Sequence, residues 1–121
     1  MNGVFVSTEE FDRILEGRLK KIRHILSTKA VEYAIGTDRM HNFNEAADFN
    51  DCTPEQALWG MSTKHLISVR DLVTFSPIHI PDEETVNEKI GDLINYLILL
   101  EAIIKTRIAN EWAKKGVERW N

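Results

Sequence analysis

The chain has 121 residues, with 15 Lys and Arg against 19 Asp and Glu, so its formal net charge is −4. A hydrophobic content of 43% and a charged content of 28% are typical of a globular protein and exclude a disordered one. This length predicts a single domain over residues 1–121. The single cysteine, Cys52, excludes a disulfide framework and a cysteine-based zinc site. The acidic balance argues against duplex nucleic acid as a partner, because binding through its phosphates needs a basic face.

The first residues lack the basic stretch and apolar run of a signal peptide. The most hydrophobic segment, residues 93–104, has 12 residues and includes Asn95, Tyr96 and Glu101. A membrane helix needs about 20 largely apolar residues. We therefore expect a cytoplasmic protein with no membrane partner.

Helix signals follow one another along the chain. Ser7 and Glu10 have capping-box spacing, and an apolar stripe with helical period runs from Phe11 to Leu26. This helix either ends near Ser27 or Thr28 or continues to Ile35, where Gly36 would stop it. The mixed segment 37–53 is compatible with one short helix around Phe43, Ala46, Ala47 and Phe49.

The strongest start signal is Thr53-Pro54-Glu55-Gln56, where Thr53 can cap, Pro54 suits the first turn and Gln56 completes a capping box. It predicts a helix from Pro54 to about Phe75. The prolines of segment 76–82 exclude a helix there, and Asp82 is a cap for a last helix from Glu83 to about Lys115. No long alternating pattern is present, so we expect an all-α bundle of three long helices and one or two short ones.

The last helix is apolar around its whole circumference between Leu93 and Ile104. A helix of this kind has to be buried on every side, which a bundle of three or four helices struggles to achieve alone. We therefore expect a homo-oligomer, a dimer or a tetramer, with this helix near the interface. A central helix in a compact monomer is the alternative.

Two polar stripes interrupt the apolar helices. Glu88, Asp92 and Asn95 share a face of the last helix, and two stacked carboxylates with an amide are oxygen ligands of the kind that Mg²⁺ prefers. The preceding helix aligns Lys64, His65, Ser68 and Asp71 in the same way. The structural alternatives are that Glu88 interacts with the helix dipole, that His65 is packed, and that Asp71 belongs to a surface ion pair with Arg70.

Two further segments carry varied chemistry. Lys29 and Glu32 share a helix face, and Asp38-Arg39-Met40-His41-Asn42-Phe43 places an acid, a cation, an imidazole and an aromatic ring in one loop. Phe43 and Trp59 are candidates to stack on a base, and Lys29, Arg39 and Lys64 are candidates to bind phosphates. Phe43 and Trp59 are equally compatible with a role as core anchors.

These segments resemble small phage and prophage proteins over about residues 11–105. The resemblance rests on Lys29-x-x-Glu32-Tyr33-Ala34, on Asp38 to Phe43, on Ala57-Leu58-Trp59-Gly60-Met61-x-x-Lys64-His65-x-x-Ser68-x-x-Asp71, and on Glu88-Lys89-Ile90-Gly91-Asp92-Leu93-Ile94-Asn95-Tyr96-Leu97. These phage and prophage proteins are in turn similar to the all-α nucleoside triphosphate pyrophosphohydrolases, the MazG-like and dimeric dUTPase-like superfamily. The link to these enzymes rests mainly on Glu88-Lys89-Ile90-Gly91-Asp92.

The resemblance implies an oligomeric helical bundle that binds Mg²⁺, or Mn²⁺, and cleaves a nucleotide between its α- and β-phosphates. Glu88, Asp92 and Asp71 are then the metal candidates, with Asn95 as a neutral ligand, and Glu32 is the candidate that positions water. Lys29, Arg39 and Lys64 would bind phosphates, and the residues framing the base would be His41, Phe43, Trp59 and His65.

The chain departs from the family pattern at two points. In the family, an acidic residue stands three positions before the terminal aspartate. In this chain that aspartate corresponds to Asp92, and Lys89 occupies the position three residues earlier. The preceding helix also has no Glu-x-x-Glu pair. Three hypotheses therefore remain. The first is an Mg²⁺-dependent nucleotide pyrophosphohydrolase-like protein, the second a nucleotide binder without catalysis, and the third a helical interaction protein.

Overall fold

The computed structural model describes residues 3–33 and 38–116, apart from the side chains of residues 29–33. Within these residues the chain forms four α-helices and no strand. The helices are α1 (Thr8–Tyr33), α2 (His41–Asn50), α3 (Pro54–Phe75) and α4 (Glu83–Lys114). The prediction of an all-α fold of three long helices and one or two short ones is confirmed.

The helix boundaries follow the local signals closely. α3 has the predicted bounds, and α4 ends one residue earlier than expected, at Lys114. α1 passes Ser27 and Thr28 and continues at least to Tyr33, so the longer of its two predicted forms is the observed one. The predicted stop at Gly36 lies outside the described residues.

The caps explain why three helices begin where they do. The Ser7 hydroxyl accepts from the Glu10 amide at 3.1 Å. At α3 both bonds of the capping box form, because Thr53 Oγ1 accepts from the Gln56 amide at 3.2 Å and the Gln56 side chain accepts from the Thr53 amide at 3.0 Å. At α4 the Asp82 carboxylate accepts from the Thr85 amide at 2.7 Å. Each cap satisfies a backbone donor that the helix itself leaves without a partner.

α3 and α4 form an antiparallel pair that is the centre of the fold. Glu55 at the start of α3 pairs with Arg107 near the end of α4, and His65 in mid-α3 lies beside Asp92. α2 packs on one end of this pair, where Phe43 joins Leu58 and Ile103 in the buried core.

α1 runs parallel to α4 and packs mainly against it. The pKa of Arg13 is raised by its hydrogen bond with Glu10 and, more weakly, by the charge of Glu83, which places Arg13 near the start of α4. Five residues later, the Arg18 guanidinium donates to the carbonyl oxygen of Asn87 at 3.2 and 3.3 Å. From Arg13 near Glu83 to Arg18 at Asn87, the contacts move towards the C-terminus along both helices, so α1 and α4 are parallel.

The core of the single chain is thin. Its buried apolar residues, among those the structure describes, are Phe43, Ala47, Ala57, Leu58, Ile103 and Ala109. Many large apolar side chains stay substantially exposed, including Leu97, Ile98 and Ile104 of the segment expected to be buried on all sides. Across residues 3–33 and 38–116, no helix has the length and apolar character required to cross a bilayer.

The ion pair between Glu55 and Arg107 gives the fold a testable pH dependence. The hydrogen bond from Arg107 holds the pKa of Glu55 below its usual value. A carboxyl group with a lowered pKa stabilises the fold above its unfolded pKa, and this contribution is lost as the pH falls through the folded pKa. We expect the free energy of unfolding to fall less steeply between about pH 5 and pH 3 in Glu55→Gln than in the wild type.

Urea unfolding at several pH values measures this slope. The matched control is Glu45→Gln, since Glu45 is an exposed glutamate on α2 and its replacement should leave the slope unchanged. Equal slopes in the wild type and Glu55→Gln would refute a linking role for the pair.

Candidate functional site

The contact between His65 and Tyr96 defines the seam of the α3–α4 pair. Their ring centroids are 4.6 Å apart, so these two residues face each other. Two antiparallel helices that lie in one layer are related by an approximate two-fold axis perpendicular to that layer. A residue one position before His65 on α3 therefore lies on the same side of the layer as the residue one position before Tyr96 on α4. Lys64 and Asn95, one position before the seam, lie on one side of the layer. Leu66 and Leu97, one position after it, lie on the other.

The side that carries Lys64 and Asn95 holds polar residues from both helices. Residues three, four and seven apart share a helix face, so this polar side collects most of the polar residues that the sequence singles out: Lys64, Ser68 and Asp71 from α3, and Glu88, Asp92 and Asn95 from α4. Two stripes that were predicted separately thus belong to one surface.

Asp92 and His65 approach each other from the two helices on this surface. Asp92 Oδ2 is 3.7 Å from His65 Nδ1, and the His65 side chain is only 13% exposed. This distance is too long for a hydrogen bond, but a protonated His65 would form an ion pair with Asp92. The carboxylate is partly exposed and therefore remains accessible to a ligand.

Asn95 is the unusual residue of the site. It is 5% exposed, and its Oδ1 atom has no hydrogen-bond partner among the described residues. A buried carbonyl oxygen without a partner costs about 1–3 kcal/mol, so its presence calls for an explanation. A ligand donor or a cation at this oxygen would supply the missing interaction.

Arg18 is a site residue that sequence reasoning missed. Its guanidinium reaches α4 beside Gly91, where a Cβ atom would stand only 2.6 Å from Nη1. Gly91 therefore leaves room for the cation within one helical turn of Glu88 and Asn95. The sequence feature that could have revealed Arg18 is its charge inside the apolar stripe of α1, between Leu15 and Ile22.

The other metal candidates do not converge on Asp92. Among the described residues there is no group of three His, Cys, Asp or Glu side chains arranged to hold a metal ion. Glu88 Oε1 pairs with Lys89 Nζ at 3.2 Å, and Asp71 Oδ1 lies 3.7 Å from Arg70 Nη2. Asp71 also lines an open cleft with Thr85 and Lys89, towards the C-terminal end of α3.

The residues expected to contact a base are dispersed. The Phe43 ring is buried and makes an edge contact with Tyr96, with 6.2 Å between centroids, which supports its alternative role as a core anchor. Trp59 is seven residues before Leu66 and lies with it on the side opposite the polar surface. His41 is half-buried at the start of α2, and Arg39 is exposed just before it.

The carboxylate of Asp38 fixes the shape of the loop before α2. The Asp38 carboxylate accepts from the Met40 amide at 2.9 Å and from Asn44 Nδ2 at 3.2 Å, so Asp38 is engaged in fixing the turn. The side chains of Lys29 and Glu32 lie outside the described residues, and their proposed roles stay predictions.

Comparisons with known proteins do not extend this picture. The chain matches no protein-family model, and neither the curated proteins nor the solved structures gave a match.

Proposed function

We propose that this chain is an Mg²⁺-dependent nucleotide pyrophosphohydrolase-like protein of the MazG-like kind. It acts on ribo- or deoxyribonucleoside triphosphates as a cytoplasmic, phage-associated homo-oligomer. The observation that carries the proposal is the polar side of the α3–α4 layer, where Asp92 lies beside His65 and the buried Asn95 has an unpartnered oxygen. A lysine and an arginine flank these groups, as binding of a polyphosphate requires.

The residues present fit a metal that is held jointly with its substrate. Mg²⁺ commonly takes one or two protein carboxylates and completes its shell with water and phosphate oxygens. Asp92 and Glu88, one turn apart on α4, would hold the ion, and Asn95 is a neutral oxygen ligand next to them. When bound, the metal neutralises charge on the polyphosphate and lowers the pKa of a bound water molecule.

The chain's own residues perform the remaining tasks. Lys64 and Arg18 bind and orient the phosphates, with Lys29 and Arg39 as further candidates. His65 faces Asp92 across the seam and, when protonated, pairs with its carboxylate. Glu32 remains the candidate to orient the attacking water and take its proton. Asp71 is an additional candidate to contact the metal. It lies on the same polar side but towards the far end of α3.

Two observations favour a second function, a nucleotide binder without hydrolysis. The described residues contain no three-group metal cluster, and Glu88 is engaged by Lys89. A site of this composition binds a nucleotide with its own Mg²⁺ without activating water.

Pyrophosphate release tests the proposal. A panel of ribo- and deoxyribonucleoside triphosphates is incubated with Mg²⁺ or Mn²⁺, and with EDTA as the metal-free arm. We expect metal-dependent release that Asp92→Asn lowers by about 100-fold or more. The matched control Asp12→Asn, an exposed aspartate of α1, keeps full activity.

Equilibrium dialysis with the same nucleotides distinguishes the two functions. Binding without release favours the non-catalytic binder. Absence of both release and binding would overturn both functions and leave the helical interaction protein.

A further inference from the structure

Gly91 lies in the interior of α4 at a point where the backbone does not require glycine. Its φ is outside the positive range that favours this residue, and among the described glycines only Gly116 adopts that range. Glycine inside a helix weakens the helix relative to alanine, so its presence here has another cause. Space is that cause, because a Cβ atom at Gly91 would meet a neighbour, whereas one at Gly17 or Gly60 would meet nothing within 4 Å.

The neighbour of Gly91 is the guanidinium group of Arg18. A Cβ atom at Gly91 would stand 2.6 Å from Nη1, 3.6 Å from Cζ and 4.0 Å from Nη2 of this side chain. The same two nitrogens donate to the carbonyl oxygen of Asn87 at 3.3 and 3.2 Å. Asn87 lies about one helical turn before Gly91, so α4 holds the guanidinium against its own backbone, over the space that the glycine leaves.

No acidic side chain in the described part of the chain matches the charge of Arg18. The ion pairs that the described residues form all involve other side chains, and Arg18 is half-buried. A guanidinium carries five N–H donors in a fixed fork, and the bonds to Asn87 use only two of them. The remaining donors and the unmatched charge suit an anion, since guanidinium groups bind phosphate oxygens in pairs.

We infer that Gly91 is a positioning residue, which keeps the Arg18 guanidinium against α4 so that its remaining N–H groups bind a phosphate of the nucleotide. The inference rests on the proposed function and assigns part of it to a residue without a side chain. Glu88 and Asn95 lie within about one helical turn of Gly91, so a phosphate on Arg18 stays close to the proposed metal ligands. A side chain at position 91 would push the guanidinium aside, because 2.6 Å is closer than non-bonded atoms approach.

The effects on binding and on folding separate in Gly91→Ala. The atom that has to move is the tip of a flexible side chain, so the helix backbone stays in place, and alanine favours the helix. We therefore expect this variant to unfold at the wild-type temperature or above it. We expect it to bind nucleotide about 10-fold more weakly, because the displaced guanidinium loses its charge-assisted bonds to the phosphate.

Equilibrium dialysis with Mg²⁺ and either nucleoside triphosphates or inorganic tripolyphosphate tests the inference. Tripolyphosphate has no base or sugar, so both probes should lose the same factor in Gly91→Ala. The matched control is Gly60→Ala, which makes the same change in α3 with open space around it and should bind like the wild type. In an Arg18→Ala background, Gly91→Ala should change the affinity by less than about 2-fold, because it acts only through Arg18.

The NMR signal of the Arg18 Nε–H group adds a readout that a purely structural effect would not give. It should shift when tripolyphosphate is added to the wild type and stay in place in Gly91→Ala. Wild-type affinity in Gly91→Ala overturns the inference and leaves the proposed function standing, and so does a loss that is equally large with and without Arg18. A Gly91→Ala chain that fails to fold also overturns the inference. A wild type that binds neither probe overturns the proposed function together with it.

Discussion

Replacing Leu58 with alanine is expected to lower the free energy of unfolding by about 2–5 kcal/mol. Leu58 is fully buried and joins Phe43 and Ile103 at the point where α2, α3 and α4 meet. Truncation removes apolar contacts from all three helices and leaves a cavity. Proteins are stable by only about 5–15 kcal/mol, so the loss is a large share of the total, and the small core offers few other residues to compensate.

Urea unfolding followed by far-UV circular dichroism measures this loss, with all variants at one chain concentration. The control is Ile78→Ala, since Ile78 is 89% exposed and its truncation should change the free energy of unfolding by less than about 0.5 kcal/mol. Similar losses in the two variants would mean that Leu58 is not the centre of the core.

Asn95→Leu is expected to stabilise the fold and to abolish nucleotide binding. The side chains have similar volumes, and leucine removes a buried oxygen that has no partner among the described residues. Relief of that penalty should raise the free energy of unfolding by about 1 kcal/mol or more. The same change deletes the amide that the proposed function assigns to the metal and its nucleotide. The variant therefore gains stability and loses nucleotide binding, a trade-off that is common where a functional site keeps a residue that destabilises the fold.

Thermal unfolding and equilibrium dialysis on the same preparations test both halves of this expectation. Asn110→Leu is the matched control, because Asn110 is an exposed asparagine of the same helix and should alter neither quantity. A destabilised Asn95→Leu would show that the amide holds the fold together. A stabilised variant that still binds nucleotide at the wild-type affinity would remove Asn95 from the site.

The helices were predictable because their signals are local. Thr53 and Gln56 specify the start of α3, and Asp82 specifies the start of α4, within four residues of sequence. The length of α1 was not predictable in this way. Ser27 and Thr28 are acceptable both inside a helix and at its end, so the local sequence does not choose between the two predicted forms.

The site was predictable only in part, because spacing shows which residues share a face of one helix and not which face meets a neighbour. Glu88, Asp92 and Asn95 do lie on one helix, but the position of Asp92 opposite His65 depends on the antiparallel packing. Trp59 differs from Lys64 by five residues, and that rotation puts it on the other side of the layer. Arg18 joins the site from α1, whose placement no local signal specifies.

The two-sidedness of the α3–α4 layer also limits how the gene for this chain can change in length. One inserted residue turns the remainder of a helix by about 100°, so an insertion beside His65 or Tyr96 would turn the polar and apolar residues beyond it away from their own sides of the layer. Only insertions or deletions near seven residues, which amount to two full turns, preserve both sides. We therefore expect length variation among homologous chains to concentrate in the segment 76–82 and before α2, and to spare the centres of α3 and α4.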